Sequence, residues 1–414
     1  MLESKQELDW TFLKDDTREY THIYHDYPAR MIPQIPRQLL QLLDQKEGNV
    51  LFDPYCGSGS TLVEGILYGL NVIGTDINPL ATLISSAKSD YSMNPIEVQE
   101  EINRFVEYTM APKGRPKTIA KDNLEFWFKD YVIKSIGLIL RYIENIKDPS
   151  IKRFFKIAAS ETIRESSNTR KGEFKLYRYS KESLERHNPD SFMIMKEKLF
   201  RNFKGYNSFY NIMSLREYKP YFHTYLINTV DSIPQNKVRS NSVDIVITSP
   251  PYGDSHTTVA YGQYSRLSSE WLGILKHNVD NISMGGKILP MKTPFGCFPL
   301  DSSINKVQES KPKRAMEVSS FYLDLKASIK NVAKAIKKGG YACYVVANRR
   351  VAGIQLPTDK AIECFFEEYN FSHVNTFTRS IPNKRMPSKN SPSNISGKTE
   401  ETMSKEYIVI MQKK

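Results

Sequence analysis

Asp244-Ile-Val-Ile-Thr-Ser-Pro-Pro-Tyr-Gly253 reads as a buried strand that ends on a short, rigid turn. Val243 to Ile247 has the continuous apolar character of a parallel strand covered on both faces, and Pro250 and Pro251 cannot extend a sheet. Ser249 to Tyr252 therefore follow a strand's carboxyl end, where open α/β sheets bind ligands. These residue types suit modification of an exocyclic amine on a planar base. The Ser249 hydroxyl and the Pro250 carbonyl accept hydrogen bonds from an NH2, and Tyr252 offers a face for stacking. A bare Pro-Pro-Tyr would read as a proline-rich turn over a buried tyrosine. Thr-Ser-Pro-Pro-Tyr-Gly directly after an apolar strand favours a site.

Two hundred positions upstream, roughly a domain's length away, a second strand ends in the same manner. Val50-Leu-Phe-Asp53 runs into Pro54-Tyr-Cys-Gly-Ser-Gly-Ser-Thr61 and a helical stretch from Leu62 to Tyr68. Gly57 and Gly59 let backbone approach a ligand, and the helix start offers unpaired N–H groups. The next strand, Asn71-Val-Ile-Gly-Thr75, ends at Asp76, where a carboxylate takes the hydroxyls of a ribose. The alternative is a tight βαβ turn that binds nothing. A dinucleotide fingerprint needs a third glycine where Leu62 stands, and a triphosphate site needs a lysine that is absent from this loop. Asp53 would repel a phosphate but can hold the ammonium of an amino-acid moiety, which points to S-adenosylmethionine and away from NAD.

Asp53-Pro-Tyr-Cys-Gly-Ser-Gly-Ser60 resembles the cofactor motif of the amino-group DNA methyltransferases, and Thr248-Ser-Pro-Pro-Tyr252 resembles their catalytic motif. The serine at 249 is similar to the cytosine-N4 branch; adenine-N6 members more often carry Asp or Asn there. The resemblance implies that Tyr55, Cys56, Gly57, Ser58, Gly59, Ser60 and Thr61 form the cofactor loop and that Asp76, Ile77 and Asn78 contact the ribose. It implies that Asp231 and Ser232, in Asn228-Thr-Val-Asp-Ser232, meet the cofactor's adenine, and that Tyr27 and Pro28 touch its methionine end. Together the matches cover about half the chain.

The 414 residues, 40% hydrophobic and 25% charged, suffice for one large domain with an insertion, or for two domains. A formal charge of +12 suggests a polyanionic partner, although a basic surface has bland explanations too. Cys56, Cys297, Cys343 and Cys364 form no CxxC pair or Cys/His cluster, and read as free thiols in a reducing cytoplasm. The charged start Met1-Leu-Glu-Ser-Lys-Gln-Glu lacks an apolar core, so no signal peptide is expected, and no apolar run approaches membrane-spanning length.

Residues 1–86 are assigned to an N-terminal arm and the cofactor half, 87–225 to a helical insertion, and 226–414 to the catalytic half. Helical periodicity is clear from 123 to 143 and from 151 to 163. Ser166 to Tyr179 then mixes Arg170, Lys171, Lys175 and Arg178 with Phe174, Tyr177 and Tyr179, the cation-plus-aromatic combination that nucleic acids take. A solvated hairpin with inward-packed aromatics fits that stretch equally well. Thr257 to Trp271 supplies side chains for a base pocket or an ordinary loop into a helix. Lys276 to Lys313 is expected to be an irregular mobile loop. The helix Phe321 to Lys338 is expected to stop at Gly339-Gly340. Basic Lys384 and Arg385 are candidates for the DNA backbone.

The expectation is an α/β, seven-stranded, Rossmann-like methyltransferase with a helical insertion. It flips a cytosine from double-stranded DNA onto Tyr252 and methylates N4, with a cognate restriction endonuclease as possible partner. Rivals are adenine-N6 methylation, RNA guanine-N2 methylation and a non-catalytic DNA-binding protein.

Overall fold

The computed structural model describes residues 9–119, 122–253, 260–291, 294–381 and 404–414, and the backbone of 389–390 and 400–401. Seven strands share one sheet: β1 (Val50–Asp53), β2 (Asn71–Asp76), β3 (Phe222–Leu226), β4 (Val243–Thr248), β5 (Ile336–Val346), β6 (Phe371–Ser380) and β7 (Lys405–Lys413). Their spatial order is β3-β2-β1-β4-β5-β7-β6. β3 to β5 run parallel to one another, whereas β7 enters antiparallel between β5 and β6. This is the expected seven-stranded Rossmann-like sheet, with its order reversing between β1 and β4. At such a switch point the strand ends diverge and leave a crevice.

The apolar runs are continuous because alternate side chains serve different faces. Phe52, Ile73, Val246 and Ala342 pack on one side with the helix α10 (Pro312–Ala335) through Val318, Leu325 and Val332. Leu51, Val72, Ile245 and Cys343 pack on the other with α1 (Gln34–Leu42) and α2 (Ser60–Tyr68) through Leu39, Leu62 and Ile66.

The insertion carries α4 (Pro95–Met110), α5 (Asp130–Asn145), α6 (Pro149–Ser166) and α7 (Ser191–Ser214). It shares a core with α3 (Pro79–Ser89) through Ile102, Ile136, Phe154 and Leu199 against Leu80 and Ile84. Asn78-Pro79, Asn94-Pro95 and Asp148-Pro149 each start a helix: the Asn or Asp side chain accepts a backbone N–H and the proline needs none. The expected boundary at 225/226 falls inside β3, which belongs to the sheet as its edge strand.

Two local expectations are corrected. The helix before β5 ends at Ala335, not Lys338, because Val243 pairs with Ile336 and draws it into the sheet. Gly339, at φ +79°, then serves a β irregularity instead of a helix stop. The stretch read as an irregular loop contains α9 (Phe298–Ser310), with Leu300, Ile304 and Val307 buried at helical spacing behind Pro299. α8 (Tyr261–Trp271) follows the Ser249–Tyr252 turn, and α11 (Thr358–Glu367) precedes β6. Among the described residues no helix is long and apolar enough to cross a membrane.

Candidate active site

A cavity opens at the carboxyl ends of β1, β2 and β4, with about 890 Å³ free of protein atoms, part of it open to solvent. Its position is the switch point of the sheet, where open α/β sheets bind ligands. Tyr27, Pro28, Asp53, Tyr55, Cys56, Gly57, Ser58, Ser60, Thr61, Asp76, Ile77 and Asn78 all line it, together with Ser249 and Pro251.

Local chemistry shapes the glycine loop. Gly57 and Gly59 stand at φ +48° and +77°, a left-handed backbone that favours glycine. A Cβ on Gly59 would sit 2.8 Å from Ser85 Cα, so Gly59 serves close packing of α3 and does not itself line the cavity. A Cβ on Gly57 would lie 3.5 Å from the Tyr27 ring, across the ligand space. Asp76 fastens the loop: its Oδ2 accepts from Gly57 N at 2.9 Å and its Oδ1 from Asn78 N at 2.8 Å.

The two acids stand at the ends of adjacent strands. Asp53 is 3% exposed, and burial raises its carboxyl to about 6 against bonds from Thr248 and Tyr55 that lower it. Burial likewise raises Asp76 to about 6, opposed by its backbone donors. Thr248 Oγ1 donates to Asp53 Oδ1, which joins the end of β4 to the end of β1.

Tyr27 arrives from far outside the sheet. Asn78 Nδ2 donates to its hydroxyl at 3.1 Å, its ring stacks on Tyr261 at 5.9 Å, and Glu161 of α6 accepts from the neighbouring Asp26 N. The insertion thus holds one wall of the cavity. Behind Tyr55, Ser328 of α10 meets both the Tyr55 hydroxyl and Thr229 Oγ1 at 2.6 Å.

Asp231 and Ser232 are exposed and do not line the cavity; Asn228 and Thr229 stand in the place expected for them. A turn after β3, closed by Asp231 N donating to Asn228 O, carries the Asp231 side chain outward. Pro250 and Tyr252 also lie off the lining. Tyr252 is half-buried: its hydroxyl accepts from Ser249 Oγ at 3.2 Å and donates to Glu406 Oε1 at 2.8 Å, and burial raises it well above the usual phenol range. Val279, Ile282, Ser283 and Met284 supply a wall from the stretch expected to be a mobile loop. No pattern in that stretch marks them. Tyr261 lies within Thr257–Trp271, singled out in the sequence; Thr257, Thr258 and Val259 lie outside the described residues, as do Lys384 and Arg385.

The insertion hairpin packs beside α8. Phe174 contacts Tyr264 at 6.3 Å between ring centroids, and Gln263 Oε1 accepts from Leu176 N. Arg170 and Lys171 are exposed and Lys175 is half-buried. Arg178 lies over the Phe126 ring at 4.3 Å, which makes it part of the packing.

Residues 18–112 match the model of the RMKL-like methyltransferase domain. The type II methyltransferase M.MvaI of Kocuria varians is 41% identical over 97% of this chain and 93% of its own length. The type II methyltransferase M.MjaII of Methanocaldococcus jannaschii is 28% identical over 30% of this chain and 26% of its own. A tRNA (guanine(10)-N2)-dimethyltransferase of the same organism is 39% identical over 15% of this chain and 16% of its own.

Proposed function

The chain belongs to the type II methyltransferases, and from its site we propose that it moves a methyl group from S-adenosylmethionine to the exocyclic N4 amine of cytosine at one recognition sequence in double-stranded DNA. The observation that carries this is the convergence of both motifs on one cavity through the Thr248–Asp53 bond, with Ser249 on the lining. A cognate restriction endonuclease reading the same sequence is part of the proposal.

The residues fit the donor. Ser60 Oγ lies buried at the start of α2, on the cavity lining, with no hydrogen-bond partner among the described residues, so a ligand acceptor there satisfies it. Asp53 faces the cavity as the counter-charge for an ammonium. Asp76, oriented by Gly57 N and Asn78 N, keeps further lone pairs for ribose hydroxyls. When bound, S-adenosylmethionine supplies a sulfonium methyl open to in-line attack by a nitrogen lone pair.

Ser249 and the Pro250 carbonyl accept from the flipped base's amine, and Tyr252 holds its ring. The lone pair of that amine is conjugated into the ring, so acceptors that favour a pyramidal nitrogen release it for attack. Holding the two partners together supplies much of the acceleration.

The test is transfer of labelled methyl to duplex DNA, followed by digestion to nucleosides. N4-methylcytosine is the expected product; N6-methyladenine, or label entering RNA alone, would overturn the assignment.

A further inference from the structure

Glu406 stands on the same edge of the sheet as the Ser249–Tyr252 turn, although it begins a strand instead of ending one. β7 runs antiparallel to β5, so its first residues lie beside the carboxyl ends of the parallel strands. Across the β7–β6 register Glu406 pairs with Arg379, whose Nη1 lies 3.4 Å from Glu406 Oε2. The two side chains are 15% and 5% exposed, and Arg379 supplies the opposite charge that a carboxylate set back from water requires.

The hydrogen bonds in this corner have a direction. An ionised carboxylate only accepts, so the one Tyr252 proton goes to Glu406 Oε1. The Tyr252 oxygen is then an acceptor, and the one Ser249 proton goes to it. Ser249 is left with lone pairs alone for anything in front of it. Such a group accepts from a base edge that carries an amine and offers nothing to one that carries a carbonyl.

We infer that Ser249, Tyr252 and Glu406 form a proton-transfer line that ends on Glu406, with Arg379 as the residue that positions its terminus. This rests on Ser249 being the acceptor for the target amine. As the nitrogen–methyl bond forms and the methyl–sulfur bond breaks, the nitrogen carries one proton too many. Its N–H bond breaks toward Ser249 Oγ, and the bonding pair stays on nitrogen and returns to the ring. The Ser249 proton passes to Tyr252 Oη, and the Tyr252 proton to Glu406 Oε1. Each hydroxyl ends with one proton, and Glu406 ends neutral until it releases its proton to water.

Glu406→Gln separates this role from mere support of the tyrosine ring. Glutamine keeps the size and an oxygen acceptor but cannot take the proton. Single-turnover transfer should fall on the order of a hundredfold, with cofactor and DNA affinity unchanged. Tyr252→Phe, which leaves the Glu406–Arg379 pair intact, should fall by a similar factor and stays informative if the first variant misfolds. The double variant should be no slower than the slower single one, because both break one line. A parental rate in either folded single variant, or multiplicative losses in the double, would overturn the inference. Tyr252→Ala, measured beside them, separates the two levels: its loss with parental Glu406→Gln and Tyr252→Phe sinks the proton line alone, whereas a parental Tyr252→Ala sinks the reading of the site.

Discussion

Thr248 Oγ1 donates to Asp53 Oδ1 at 2.5 Å, across residues 195 positions apart in the chain. The bond exists because β1 and β4 pair in parallel, Phe52 opposite Val246, so both strands end at one level. It ties the buried carboxylate on the cavity lining to the turn that presents Ser249. Thr248→Val keeps the volume and removes the donor from a buried carboxylate. The expected result is a stability loss of about 1–3 kcal/mol by denaturant unfolding, with weaker S-adenosylmethionine binding by calorimetry. Unchanged cofactor affinity would detach Asp53 from the donor.

Asp53 and Asp76 are both raised to about 6, chiefly by burial, and under the proposed function they should govern the pH dependence of donor binding. The ligand's ammonium and hydroxyls need the carboxylate forms, so affinity should fall as pH drops through 6 and level off above 7. Calorimetry near pH 6 in buffers of different ionisation enthalpy should register release of about one proton on binding. The effect on folding has the opposite sign. Between the ordinary carboxyl value of 3.8 and about 6 the folded chain binds protons that the unfolded chain has lost, so these groups destabilise the fold as pH rises through that interval.

The insertion's cations divide into two kinds. Arg170 and Lys171 are exposed, whereas Arg178 is stacked on Phe126. Replacing Arg170 and Lys171 with alanine should lower the log–log salt slope of DNA binding by about two, with donor affinity unchanged. Arg178→Ala should leave that slope alone and lower stability by about 0.5–1 kcal/mol, read from thermal unfolding. Equal slopes for the double variant and the parent would return the hairpin to a solvated surface.

Much of the sheet was legible because apolar runs and glycine turns are local signals. Val50–Asp53 and Val243–Thr248 stand as strands where their runs placed them. The glycine loop and Ser249 were legible for the same reason. Legibility failed where tertiary pairing decides. Ile336 joins β5 only because Val243 lies opposite it, and Asp231 turns outward only because the loop after β3 closes on Asn228. Glu406 carries no motif at all. Its role depends on an antiparallel strand whose start meets the ends of parallel ones, and neither register nor sheet order is written within a few residues of it. Ile282 to Met284 reach the cavity through packing of a stretch with no periodic pattern.

The central claim is that methyl transfer takes place at Ser249. Single-turnover transfer to duplex DNA by Ser249→Ala tests it most directly, because the lost acceptor matters most as the target nitrogen pyramidalises. The account predicts a rate lowered on the order of a hundredfold or more, with S-adenosylmethionine and DNA bound as tightly as by the parent. Transfer at the parental rate would contradict it and place the chemistry elsewhere.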